Sequence, residues 1–244
     1  MAKIKTLVYF DLEATGLKSS GRPRISEISF VAVSSENVEE LNCDIQNNFR
    51  NKFNQDYVLQ LESLLPRVLN KLTLCVYPMA TIMPEVSDIT GLDNYNLTDQ
   101  TRFDENTGYL LKNFLDRLPT PVCLVAHNGN IYDFPLLKAE MEKVCIQLSS
   151  GIFCVDSYIG MKAIFKNRNE LTQVDQSKKS IPQSYSLINL HKHLLSCKPT
   201  RSHGAEADCL ALLRTTAVLG KEWLEWVKMN CKLFSDCKKM WGWE

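Results

Sequence analysis

The sequence predicts an α/β domain with a mixed central β-sheet flanked by helices, and three observations carry that reading. Two apolar runs of strand length, residues 6–11 and 25–33, lie close together at the start of the chain, and a third follows at 72–77. Two more, 122–126 and 153–156, then alternate with segments of helical period. Strands in a block, followed by strand–helix alternation, give antiparallel pairing early and parallel crossovers later. A single domain over 1–244 is expected.

Taken in order, residues 6–11 form the first strand and 25–33 (ISEISFVAV) the second, with Glu27 inside an otherwise apolar run. The intervening turn brings Arg22 and Arg24 close to the end of strand one, either as solvated turn residues or as phosphate contacts. Residues 42–70 are expected to be a variable insertion: a polar loop, then a short helix with Val58 and Leu61 on one face, interrupted by Pro66. Strand three at 72–77 ends at Pro78, and 78–88 reads as irregular. A helix is expected near Thr98 or Asp99. Another runs from about Asp104 to Arg117, with Leu110, Leu111, Phe114 and Leu115 as its apolar face. Pro119 and Pro121 stop it. Strand 122–126 leads through HNGNIYD into a helix containing Ala139, Met141 and Val144. Strand five follows at 153–156. Residues 167–183 are polar and read as a mobile loop carrying Arg168, Lys178 and Lys179. Helices are expected from Tyr185 to Leu195, over 203–219, and along the tail 221–234, where Trp223 and Trp226 pack on the body.

Bulk properties narrow the function classes. The chain is 45% hydrophobic and 23% charged with a formal net charge of zero. Overall charge therefore does not drive nucleic-acid binding, although a local basic groove is compatible with it. The nine cysteines are scattered and contain no CxxC, which fits a reduced intracellular protein. Without an N-terminal apolar signal region or a run of about 20 apolar residues, a soluble, non-secreted protein with no membrane partner is expected, in cytoplasm or nucleus.

The chemistry is read from acids. Asp11 and Glu13 stand two apart at the end of the first strand, so both side chains share one face. Paired buried carboxylates repel, and either one holds a proton or a hard divalent cation such as Mg²⁺ or Mn²⁺ neutralises them. On that stretch alone, a metal pair and a solvated strand-to-turn pair both remain open. Asp133 starts a helix just past a buried strand, and HGAEAD (203–208) starts the last long helix. Each of these acids alone could simply favour the helix dipole, and His203 could be a cap or surface residue.

Together, DLEATGL (11–17), HNGNIYDFPLL (127–137) and HGAEAD resemble the three motifs of the DEDD 3′→5′ exonucleases, which have a ribonuclease H-like fold. His203, five before Asp208, resembles the histidine class (DEDDh). KLTLCVYP, SDITGL, LVAHNGNIYDFPLL and QSYSL further resemble the three-prime repair exonuclease (TREX-type) family, nearest its short soluble branch. The resemblance implies a two-metal phosphodiester hydrolase, using two Mg²⁺ ions (Mn²⁺ able to substitute) held by Asp11, Glu13, Asp133 and Asp208, with His203 as general base. A histidine's ordinary pKa of about 6.5 suits that task.

It also implies that Ala14, Leu17, Ile89 and Leu92 hold the terminal nucleotides, Leu17 and Ile89 as wedges, unless these two are core residues. Tyr132 would line the scissile phosphate. His127, Asn128, Tyr185, Ser186, Lys178 and Lys179 belong to the same implied nucleic-acid surface. The substrate implied is the DNA 3′ end, single-stranded or frayed duplex, with RNA as an alternative and a non-catalytic binding module as a further one. Some relatives carry an arginine where this chain has Ile131, which bears on duplex handling. A homodimer through the edge strand near Leu72 and Val76 is implied as well.

Overall fold

The computed structural model describes residues 3–49, 57–171, 182–199 and 202–241. Six strands form one sheet: β1 (Thr6–Ala14), β2 (Ile25–Ser34), β3 (Asn70–Cys75), β4 (Val122–Ala126), β5 (Ile152–Asp156) and β6 (Lys232–Leu233), in spatial order β3-β2-β1-β4-β5-β6. β2 pairs antiparallel with β1 and β3; β4 pairs parallel with β1 and β5; β6 closes the far edge antiparallel. The sheet is therefore mixed in the expected order.

Alternation along β1 explains the two layers of core. Val8, Phe10, Leu12 and Ala14 face one layer, which is covered by α4 (Glu105–Asp116) and α5 (Asp133–Lys143). Leu7 and Tyr9 face the other. That layer is covered by α1 (Ser35–Phe49), α6 (Ser157–Leu171), α7 (Leu187–Leu195), α8 (Ala205–Ala217) and α9 (Lys221–Asn230). Asp11 and Glu13 continue the Leu7–Tyr9 face beyond the core, so they emerge on the side of α8. A hydrogen bond between Tyr9 Oη and Thr216 Oγ1 (2.8 Å) ties β1 to that helix.

Five local expectations are corrected. Residues 42–49 are not loop: α1 runs on directly from β2, and its stripe of Val38, Leu41 and Ile45 begins before the polar stretch that hid it. After α2 (Tyr57–Ser63), residues 84–90 form α3 (Pro84–Thr90) instead of irregular chain, with proline in its first turn and Gly91 in the left-handed region (φ 74°) at its end. The helix expected near Thr98 is a run of turns. Residues 167–171 continue α6, and the tail leaves its helix after Asn230 to add β6. Trp223 is fully buried and stacks on Trp226 with ring centroids 5.5 Å apart, so both pack on the body. Among the described residues, no helix is long and apolar enough to cross a membrane.

Candidate active site

The C-terminal end of β1, the N-terminus of α5 and the N-terminus of α8 meet at one end of the sheet. Asp11, Glu13 and Asp208 each place a carboxylate oxygen there, all within 4.8 Å of one another. β1 supplies the first two by strand alternation, with a register irregularity between Glu13 and Ala14 where the strand leaves the ladder. α8 supplies Asp208 from its first turn.

Asp133, only 6% exposed, heads α5, where nearby backbone amides, its own and that of Leu12, partly offset the effect of burial on its carboxyl. β4 pairs with β1 only as far as Tyr9. Burial, then the neighbouring acids Asp133, Asp208 and Glu13, pushes the Asp11 carboxyl well up from its usual range. Burial with Asp208 and Glu27 pushes Glu13 up to about 8, and burial pushes Asp133 up to about 7. Without a cation, burial and mutual repulsion favour protons over charge at these acids. An all-carboxylate oxygen set of this kind fits a hard divalent cation, which would neutralise what the protons neutralise.

His203 is exposed at the head of the same helix, in the left-handed region (φ 69°), and its backbone N–H donates to Asp208 Oδ2 at 3.0 Å. Tyr132 Oη donates to the Gly16 carbonyl at 2.5 Å, joining the segment before α5 to the turn after β1.

The remaining expected residues fall into separate structural roles. Leu17 and Ile89 are 65% and 56% exposed, so core packing does not account for them. Their segments are linked by the Met83 N–H donating to the Thr15 carbonyl, 3.2 Å. Ala14 is buried and Leu92 half-buried. His127 has both ring nitrogens engaged: Nε2 donates to the Tyr185 carbonyl (2.8 Å) and Nδ1 pairs with Ser157 Oγ (2.9 Å). It therefore braces α6 against the segment before α7. Tyr185 packs edge-on against Tyr158 and Phe165, Ser186 caps α7, and Asn128 turns the loop with φ 64°. Lys178 and Lys179 lie outside the described residues. Arg24 is bound by buried Glu140 through two contacts, 2.5 and 3.1 Å, which is a structural pair joining β2 to α5.

Two residues escape a reading by motif. Asp156, at the end of β5, accepts from the backbone N–H groups of Asn128, Asn130 and Tyr158, each at 3.0 Å. It shapes the loop that delivers Asp133. Its sequence signal is only a strand-ending acid. Gly129 in that loop has no room for a side chain, since a Cβ would stand 2.5 Å from the Ala126 Cβ. Glu27 is the other missed residue.

Comparison with known proteins agrees with this geometry. The exonuclease (RNase_T) family model matches residues 8–216. The chain is 38% identical over 242 residues to three-prime repair exonuclease 1 of Bos taurus, covering 97% of this chain and 70% of that protein. It is 32% identical over 240 residues to three prime repair exonuclease 2 of Mus musculus, covering 98% and 93%.

The chain belongs to the three-prime repair exonuclease family.

Within this exonuclease family it resembles the second relative in length and the first in identity. As an exonuclease of this family it is a hydrolase, and its cluster of Asp11, Glu13 and Asp208 is of the kind that holds a divalent metal ion. The zinc-ion-bound E. coli exonuclease I–ssDNA complex shares the fold, with a TM-score of 0.63 at 13% identity over 89% of this chain and 41% of that one. This chain thus spans less than half of that solved exonuclease.

Proposed function

We propose that the protein removes nucleotides one at a time from DNA 3′ ends by metal-dependent phosphodiester hydrolysis. The observation that carries this is the convergence of Asp11, Glu13 and Asp208 within 4.8 Å, in a chain of this family, with His203 on the helix that supplies Asp208. Asp11, Glu13 and Asp208, with Asp133 beside them, are the residues that would hold two Mg²⁺ ions, or Mn²⁺ in their place. Bound there, the ions would supply a hydroxide at neutral pH and would offset charge on the phosphate and the leaving 3′ oxygen.

The imidazole of His203 takes the proton from the attacking water. In this reading Leu17 and Ile89, both exposed, wedge against the terminal bases. Ala14 and Leu92 hold the same nucleotides, and Tyr132 lines the scissile phosphate. Asn128, Tyr185 and Ser186 are assigned to the nucleic-acid surface, the Tyr185 segment braced by His127, and the lysines at 178 and 179 are counted with them by sequence alone. Contacts of this kind read no base edges, so little sequence preference is expected. Ile131, 71% exposed where some relatives carry an arginine, favours single strands and frayed ends over intact duplex.

The half-exposed edge strand β3 supports a homodimer joined there, because an open apolar edge otherwise invites aggregation. All nine cysteines are free thiols, which supports a reducing cytoplasmic or nuclear setting.

The test is a time course on a 5′-labelled single-stranded DNA oligonucleotide, with Mg²⁺ and with EDTA, beside a matched RNA. A ladder shortening from the 3′ end of DNA only with metal is expected. Faster shortening of RNA would move the substrate assignment, and no ladder from folded protein with either ion would sink the reading. His203→Asn should lower the rate by about 10²–10⁴-fold. Asparagine tolerates the left-handed backbone, so the variant separates loss of the base from strain. A change under about threefold would remove His203 from that role.

A further inference from the structure

His203 and Asp208 reach the site from the head of α8, so whatever fixes that head fixes both. The usual device is missing: the N-cap is Gly204, which has no side chain to accept the first-turn amides. One acceptor comes from across the sheet instead. The Ala205 N–H donates to Glu27 Oε2 at 2.7 Å.

Glu27 lies on β2 directly opposite Glu13. Facing acids on paired strands repel, so this is an unfavourable place for a carboxylate that does nothing. It is also absent from the group of acids whose oxygens converge within 4.8 Å. The next residue of α8 is pinned as well. Glu206 Oε1 lies 2.6 Å from Lys71 Nζ, and Glu206 Oε2 accepts from Thr73 Oγ1 at 3.1 Å, both on β3. This second anchor is more than one-third exposed on both sides of its ion pair, so solvent screens it. The Glu27 bond is the inner one.

We propose that Glu27 is a positioning residue for the reaction: by accepting from the Ala205 N–H it replaces the missing cap of α8 and sets His203 and Asp208 against Asp11 and Glu13. This rests on the reading of His203 and Asp208 as catalytic. Misplacing reacting groups by about 1 Å can cost about 10²-fold in rate. Leu17 and Ile89 stand on other elements, so DNA binding should be spared.

The experiment uses the full chain and a single-stranded DNA oligonucleotide at saturating Mg²⁺. Glu27→Ala should lower kcat by about 10–100-fold, with KM within about threefold. Glu27→Gln, which keeps an acceptor oxygen and removes the charge, should restore most of the rate. Ala205→Pro removes the donor at a first-turn position that proline accepts, so it should reproduce the Glu27→Ala loss and add nothing to it in the double variant. Amide hydrogen exchange of the metal-free protein over residues 203–209 should rise in Glu27→Ala and stay at the wild-type level in Glu27→Gln.

Wild-type kcat in either Glu27→Ala or Ala205→Pro would overturn the proposal. So would a Glu27→Gln variant as slow as Glu27→Ala, which would make charge, not positioning, the operative property. A wild-type protein without nuclease activity would refute the proposed function instead, and hydrogen exchange would still decide whether Glu27 holds the helix.

Discussion

Three carboxylate oxygens within 4.8 Å make Asp208 a liability for folding as well as a proposed metal ligand. Asp208→Asn should abolish cleavage while leaving the melting temperature equal or higher, because it removes a repelling charge and keeps an acceptor for the His203 N–H. Near-normal turnover in the purified variant would remove Asp208 from the metal set. The same crowding sets a pH dependence. Glu13 is held at about 8 against an ordinary 4.5, so between those values the metal-free folded chain binds more protons than the unfolded chain. Stability contributed by Glu13 is then present below the unfolded value and lost as pH rises through the folded one. The metal-free melting temperature should fall from pH 5.5 to pH 8.5, and saturating Mn²⁺ should reverse the fall, because the ion displaces the protons. Scanning calorimetry with and without the ion checks both. A metal-free curve rising over that interval would refute the assignment of buried, proton-holding carboxylates.

At the scale of elements, the site depends on α5 and α8 sitting correctly over the ends of β1 and β2. Arg24 and Glu140 clamp β2 to α5 with a bidentate pair in which Glu140 is fully buried. Removing one partner of a buried pair leaves an uncompensated charge, so Arg24→Ala should cost about 3–5 kcal/mol of stability, read by urea denaturation. A cost under about 1 kcal/mol, the level of an exposed pair, would show that the pair is solvated in solution. Much of this arrangement is legible in the sequence, because period-2 and period-3.6 patterns survive wherever an element has one wet face. α1 and α3 break that rule. α1 has a narrow stripe of Val38, Leu41 and Ile45 in a polar helix, and α3 buries none of its residues fully.

At the scale of the whole molecule, the sheet ends differently on its two sides. β6, a strand of two residues from the tail, covers one edge, while among the described residues nothing pairs with the outer side of β3, a strand of six. A dimer joined through β3 should give twice the 27.9 kDa chain mass in light scattering at micromolar protein. A monomer mass there would remove the interface from the proposal. Glu206 connects that edge to α8 through Lys71 and Thr73, so the proposed dimer strand and the helix that supplies Asp208 are in direct contact.

The sequence by itself determined the mixed sheet, the five strands with apolar runs, the spacing of Asp11 and Glu13, and the motifs that resemble a family of exonucleases. These depend on local periodicity and on residue types in chain order, which a linear string contains. Only the tertiary structure decided that β6 forms, that Arg24 serves Glu140, that His127 is a brace, and that Asp156 and Glu27 shape the site. Each of these is set by a partner distant in the chain, as with Glu27 and Ala205, 178 residues apart. A single acid on a strand carries no sign of the amide it will meet. Only packing two elements together brings a buried donor within reach of its acceptor.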